Sequence, residues 1–166
     1  MDKPQPNDHG GWMRYAMQLA QRSPPKPTNF RVGAVVVDAS NNIMATGYTL
    51  EFQDNVHAEQ VCFMKLAREF DVPEDKLQDK LPSGLSLYTT MEPCSKRLSG
   101  NLPCVKRVLR LKSCIKTVYV GVVEPETFVA KNTGKQELQD AGIEVVHVPG
   151  LEDDILKIAT AGHIQG

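Results

Sequence analysis

Leu85-Ser86-Leu87-Tyr88-Thr89-Thr90 is followed by Cys104-Val105-Lys106-Arg107-Val108-Leu109-Arg110-Leu111 and then by Lys116-Thr117-Val118-Tyr119-Val120-Gly121-Val122-Val123. The outer segments are short, rich in β-branched and aromatic residues, and predict strands. The middle segment carries apolar residues at helical spacing, and Pro103 stands near its first turn, where a missing N–H costs little. A strand, a crossover helix and a second strand predict a parallel pair. Downstream, Lys131 to Ala141 predicts a helix ended by Gly142, Ile143 to Val148 a last strand, and Leu151 to Ala161 a final amphipathic helix. Upstream, Gly33 to Val37 and Ile43 to Tyr48 flank Asn41-Asn42, which predicts a hairpin. His57 to Phe70 reads as a helix, and polar, proline-bearing Val72 to Gly84 as a loop. Trp12, Ala16, Leu19 and Ala20 predict a first helix from Gly11 to Arg22, capped by Asn7 or Asp8 and stopped by Ser23-Pro24-Pro25-Lys26-Pro27. The expected fold is α/β, a mixed five-stranded sheet with helices on both faces.

The chain of 166 residues fits one domain, with residues 1–9 as a loose arm and 162–166 as a flexible tail. Hydrophobic residues make up 41% and charged residues 23%, the composition of a soluble globular protein. A net charge of −1, from 19 basic and 20 acidic side chains, lacks the basic excess of a nucleic-acid binder. No apolar run approaches the ~18 residues of a membrane span, and the N-terminus has no secretory signal. No membrane association and a cytoplasmic or nuclear location are therefore expected. In such a reducing compartment Cys62, Cys94, Cys104 and Cys114 serve in metal binding, catalysis or the core rather than in disulfides.

Three pieces carry chemistry: His57-Ala58-Glu59, Pro93-Cys94 and Pro103-Cys104. One histidine and two cysteines offer three ligands suited to zinc and leave the fourth tetrahedral position open, as catalytic sites do. Zinc lowers the pKa of a coordinated water to about 7, and a carboxylate close by can then move its proton. Glu59, two residues after His57 at a helix start, is the candidate for that role. Both cysteines follow a proline near an expected helix start, where thiolates are favoured. A fourth protein ligand, Cys62 or Cys114, would instead make the site structural; Cys62 lies well around the helix from His57 and reads as core. His-x-Glu alone usually means a solvated helix turn; with two Pro-Cys pairs it becomes the signature of zinc nucleobase deaminases. That signature has two residues between the cysteines, whereas nine separate Cys94 from Cys104.

The long spacer is a point of family resemblance. Asn29-Phe30-Arg31-Val32-Gly33-Ala34-Val35-Val36-Val37, His57-Ala58-Glu59 and Glu92-Pro93-Cys94 with Pro103-Cys104 resemble the pyrimidine deaminases of riboflavin biosynthesis. Thr89 through Cys104, including Lys96 and Arg97, and Ala159-Thr160-Ala161-Gly162-His163 resemble the fungal branch. The similarity runs from Trp12 to His163. Bacterial members usually carry a proline at Phe30 and often a histidine where this chain has Tyr48-Thr49, and they are commonly fused to a reductase domain. The resemblance implies a cytidine-deaminase-like three-layer sandwich across a single CMP/dCMP-type domain, residues 1–166, with zinc held by His57, Cys94 and Cys104. It implies hydrolytic deamination of 2,5-diamino-6-ribitylamino-4(3H)-pyrimidinone 5′-phosphate to the corresponding uracil phosphate and ammonia. Glu59 would move the proton, and a backbone N–H near Cys94 would stabilise the developing oxyanion.

Asn29 carries an amide suited to pyrimidine or ribityl groups, although asparagine after Pro27 also reads as a turn former. The family match favours the substrate role. Lys96 and Arg97 are the expected phosphate ligands; Lys106 and Arg107 are expected to face outward. His163 is expected either to be free in the tail or to reach the site, gating it or ligating zinc. A homodimer or other homo-oligomer is the expected assembly, with no nucleic-acid partner. Two rival readings remain at this level: a nucleoside or tRNA deaminase, which tight Cys-x-x-Cys spacing would favour, and a non-catalytic zinc-stabilised interaction domain, which a fourth protein ligand would favour.

Overall fold

The computed structural model describes residues 2–53, 56–94, 102–123 and 134–163. Its elements run α1 (His9–Ala20), β1 (Gly33–Val37), β2 (Ile43–Tyr48), α2 (Ala58–Glu69), β3 (Leu85–Met91), α3 (Cys104–Arg110), β4 (Ile115–Val122), α4 (Gly134–Asp140), β5 (Glu144–His147) and α5 (Glu152–Ala159). The five strands form one sheet in the order β2-β1-β3-β4-β5. β1 pairs antiparallel with both β2 and β3, while β3–β4 and β4–β5 are parallel. This is the mixed sheet expected from the sequence. None of the helices among the described residues is long and apolar enough to cross a membrane.

The pleat sends alternate residues to opposite faces. Ala34, Val36, Leu87, Val118 and Val120 pack with Ala58, Cys62, Leu66, Val105 and Leu138, so α2, α3 and α4 cover one face. Val35, Val37, Tyr88 and Val122 pack with Trp12, Met13, Ala16, Ile155 and Ala159, so α1 and α5 cover the other. β1 is buried along its whole length, as befits a strand with neighbours and helices on every side, whereas β5 at the edge is only half covered. Two glycines set how closely α1 and α2 approach. A methyl at Gly33 would overlap the Ala16 carbonyl oxygen of α1, and one at Gly47 would overlap the Ala58 carbonyl oxygen at the start of α2.

Four expectations need correction. α1 begins at His9, capped by Asp8, whose carboxylate accepts from the Gly11 N–H at 3.0 Å. His9 stacks on Tyr119 at 4.3 Å and its Nδ1 lies 2.7 Å from the Tyr88 hydroxyl, so aromatic packing takes it out of the loose arm. The loop between α2 and β3 contains a 3-10 turn, Glu74–Asp79, that buries Leu77. Arg107 does not face outward but pairs with Glu74 of that turn at 2.5 Å, whereas Lys106 is exposed as expected and pairs with Glu137 at 2.9 Å.

The fourth correction concerns the tail. Gly162 adopts φ +90, and its Cα packs so closely on Pro25 and Lys26 that a methyl there would clash. His163 follows, and its Nε2 donates to the Asn29 carbonyl oxygen at 2.8 Å while its ring lies 5.1 Å from that of Phe30. Arg31 fixes the same corner. Its side chain donates to the carbonyls of Gln21 and Ser23, and its backbone N–H donates to Ala159. Gly162 and His163 are therefore docked rather than free.

Candidate metal centre and pocket

His57 is the N-cap of α2, in an extended conformation, and its side chain makes no capping hydrogen bond to the helix. Cys94 lies just beyond the end of β3, and Cys104 is the first residue of α3. The Val105 N–H donates to the Cys94 carbonyl oxygen at 3.0 Å, and the Cys104 N–H to Cys94 Sγ at 3.3 Å. Two otherwise unsatisfied donors of the α3 N-terminus thus fold the Cys94 segment onto that helix, and one of them stabilises a thiolate.

His57 Nδ1 is 3.6 Å from Cys94 Sγ and 3.6 Å from Cys104 Sγ. Zinc–sulfur bonds of about 2.3 Å and zinc–nitrogen bonds of about 2.0 Å at the tetrahedral angle separate nitrogen from sulfur by about 3.5 Å. The donor set therefore fits zinc by chemistry and by spacing. Among the described residues, these three are the metal-competent cluster. Cys62 is buried beside the Ala34 carbonyl, and Cys114 points to the carbonyls of Gln78 and Leu81. Neither supplies a fourth ligand, and His163 lies outside the cluster.

A hydrogen bond from Cys104 holds the Cys94 thiol down to about 4, and the same bond, with burial, pushes Cys104 up. A thiolate at Cys94 is the form a metal ligand must take, and binding of a dication there would favour loss of the Cys104 proton as well.

Glu59 is 4% exposed in the first turn of α2. Burial pushes its carboxyl above the ordinary range, against the lowering influence of His57. Its Oε1 accepts from the Thr89 hydroxyl at 2.8 Å. Thr89 had no signal in the sequence to set it apart from any strand threonine.

A pocket opens onto His57, Glu59 and Cys94. Asn29, with Thr28 and Phe30, forms one wall, and Val32, Thr49, Met91 and Glu92 complete the lining. The candidate substrate residue Asn29 is thus beside the metal cluster, and the Thr28 hydroxyl donates to its side-chain oxygen at 3.1 Å. His163 is not among the lining residues but holds the backbone of one of them through the Asn29 carbonyl. Lys96 and Arg97 lie outside the described residues. The role of Phe30, Thr49, Met91 and Glu92 as lining was not read from the sequence, because strand ends converge only once the sheet order is known.

Residues 6–122 match the family model of the cytidine and deoxycytidylate deaminase zinc-binding region. The chain is 37% identical over 158 residues to the diaminohydroxyphosphoribosylamino-pyrimidine deaminase of Schizosaccharomyces pombe, covering 95% of this chain and 36% of that protein. It is 34% identical over 138 residues to the riboflavin biosynthesis protein RibD of Bacillus amyloliquefaciens, covering 81% of this chain and 32% of that protein. It therefore spans about a third of the length of these curated relatives. The crystal structure of a C-terminally deleted Aspergillus oryzae Rib2 deaminase superposes with a TM-score of 0.86 at 47% identity, over 93% of this chain and 92% of that one. A further structure of that protein, in complex with DARIPP, matches with a TM-score of 0.84 at 45% identity, over 93% of this chain and 91% of that one.

Proposed function

The chain belongs to the cytidine and deoxycytidylate deaminase zinc-binding family, and on that premise we propose that it deaminates 2,5-diamino-6-ribitylamino-4(3H)-pyrimidinone 5′-phosphate. The observation that carries this reading is the three-ligand cluster of His57, Cys94 and Cys104, two of whose members, His57 and Cys94, line one pocket together with buried Glu59. The likeness to the Schizosaccharomyces pombe deaminase and to the DARIPP-bound Rib2 deaminase supports the substrate. The product is the corresponding uracil phosphate, with water supplying the oxygen and the 2-amino group leaving as ammonia.

His57, Cys94 and Cys104 would hold zinc, which supplies acidification of a coordinated water and electrophilic stabilisation of developing negative charge. Glu59 accepts one proton from the attacking water and delivers it to a ring nitrogen, then takes the second proton from the added hydroxyl and passes it to the amine as the C–N bond breaks and the carbonyl forms. Phe30, Val32 and Met91 give the heterocycle an apolar slot that excludes water, and the Asn29 amide orients its polar edge. Lys96 and Arg97 bind the phosphate. His163 acts on the pocket through Asn29, steadying the wall rather than touching substrate. A homodimer or other homo-oligomer, a cytoplasmic location and the absence of a polynucleotide partner complete the reading; the near-neutral net charge of −1 supports the last.

The test is ammonia release from the ribitylamino-pyrimidine phosphate, compared with cytidine and adenosine, by the zinc-loaded protein. The expected result is turnover of the phosphate alone. Preferential turnover of cytidine or adenosine moves the protein to another branch of the family. No turnover of any of them, with zinc bound and a fourth protein ligand present, makes it an interaction module.

A further inference from the structure

Thr89 and Thr90 are adjacent in β3, and the pleat sends them to opposite faces. The Thr90 hydroxyl accepts from the Gly33 N–H at 3.2 Å and so joins β3 to β1. Thr89 is paired in register with Ala34, on the face covered by α2, and is fully buried. Its hydroxyl oxygen lies 2.8 Å from Glu59 Oε1 and 2.8 Å from the Met91 carbonyl oxygen. One hydroxyl proton faces two acceptors, and burial at 0% exposure keeps water from replacing it.

We propose that Thr89 is the positioning residue for Glu59: its hydroxyl anchors one carboxylate oxygen on the protein side, fixing the carboxylate plane toward the pocket. This rests on the reading of Glu59 as the proton-transfer group. The Met91 carbonyl oxygen lies at the same distance and competes for that proton, so the hydroxyl is a donor shared between the two acceptors. Met91 precedes the Glu92-Pro93-Cys94 segment, so the same hydroxyl ties the carboxylate on α2 to the strand end that carries a metal ligand. A group that moves protons must hold its distance to both water and substrate, and misplacement by about 1 Å can cost on the order of 100-fold.

The experiment compares Thr89→Val, Thr89→Ser and Glu59→Gln with the unmodified zinc-loaded protein, reading kcat, KM, zinc per chain and melting temperature. Valine keeps the shape of threonine and removes the hydroxyl; serine keeps the hydroxyl. For Thr89→Val, kcat is expected to fall at least about tenfold, with KM within about twofold and zinc retained; Thr89→Ser is expected to recover to within about threefold of the parent kcat. Parent-like kcat in Thr89→Val, loss of zinc together with activity, or a serine variant as slow as the valine one each overturns the proposal. Full activity in Glu59→Gln instead removes the reading on which it rests. A crystal structure of Thr89→Val gives a readout independent of turnover. A Glu59 carboxylate rotated from its parent position is expected, and an unmoved one overturns the proposal.

Discussion

His57, Glu59, Cys94 and Cys104 come from three separate stretches of chain, and each owes its role to a different local feature. His57 is presented by the extended N-cap of α2, Cys104 by the first turn of α3, and Cys94 by a segment folded back through the Cys104 and Val105 N–H groups. Glu59 is the buried acid among them, and its raised carboxyl pKa suits a group that must both take and give a proton. Glu59→Gln preserves shape and hydrogen bonding but removes the base. It is expected to keep one zinc per chain and to lose deamination by at least ~100-fold, measured by ammonia release beside metal analysis. For the phosphate, Lys96→Ala with Arg97→Ala is expected to abolish the preference for phosphorylated over dephosphorylated substrate. Full retention of that preference in a kinetic comparison would show that other cations hold the phosphate.

At the scale of elements, the approach of α2 to the sheet governs where His57 and Glu59 stand. Gly47 in β2 faces the Ala58 carbonyl, and a Cβ there would also come within 3.0 Å of Val61 Cβ. Backbone cannot yield as a side-chain tip does, so Gly47→Ala should push out the first turn of α2. A cost of about 1–3 kcal/mol in denaturant unfolding is expected, together with weakened zinc affinity in a competition titration. Unchanged zinc affinity would mean that the first turn of α2 gives way without moving His57. The tail makes the second case. Because His163 donates to the Asn29 carbonyl, deleting residues 162–166 removes a tether of the pocket wall. A lost hydrogen bond is worth about 1 kcal/mol, or roughly fivefold in equilibrium terms. The deletion is therefore expected to raise KM by about that factor while zinc content stays the same. An unchanged KM would assign the tail a purely structural role.

Across the whole molecule, α2 and α3 are joined to the sheet and, through His57, Cys94 and Cys104, to each other at one point. A ligand that binds only the folded state at 1,000 times its dissociation constant adds about 4 kcal/mol. For a chain of this size that corresponds to about 10 °C in melting temperature. Chelation is expected to lower the melting temperature by about that amount and to stop ammonia release, with both restored by added zinc. A melting temperature indifferent to chelator would place the metal at the periphery of the fold.

What was legible in the sequence is what depends on residue type and short spacing. The five strands, the hairpin, the helix starts and the His57-Cys94-Cys104 set follow from period, breakers and ligand chemistry, and the structure reproduces the elements to within a few residues at each end and brings the three ligands together. Cys62 also read correctly as core, because five residues carry a side chain to another face of the same helix. The 3-10 turn was hidden, since one buried leucine among charged residues makes no periodic pattern. The docking of His9 and His163 was equally hidden, because each depends on an element more than 75 residues away. Thr89 and Thr90 mark the limit most clearly. They are the same residue, side by side, with the same propensity. Pairing of Ala34 with Thr89 turned one hydroxyl to Glu59 and left the other to the Gly33 N–H. Strand register is a cooperative property of the whole sheet, fixed by burial on both faces together. The linear sequence therefore determined which groups are the candidates for chemistry, and only the tertiary structure decided which neighbours hold them in place.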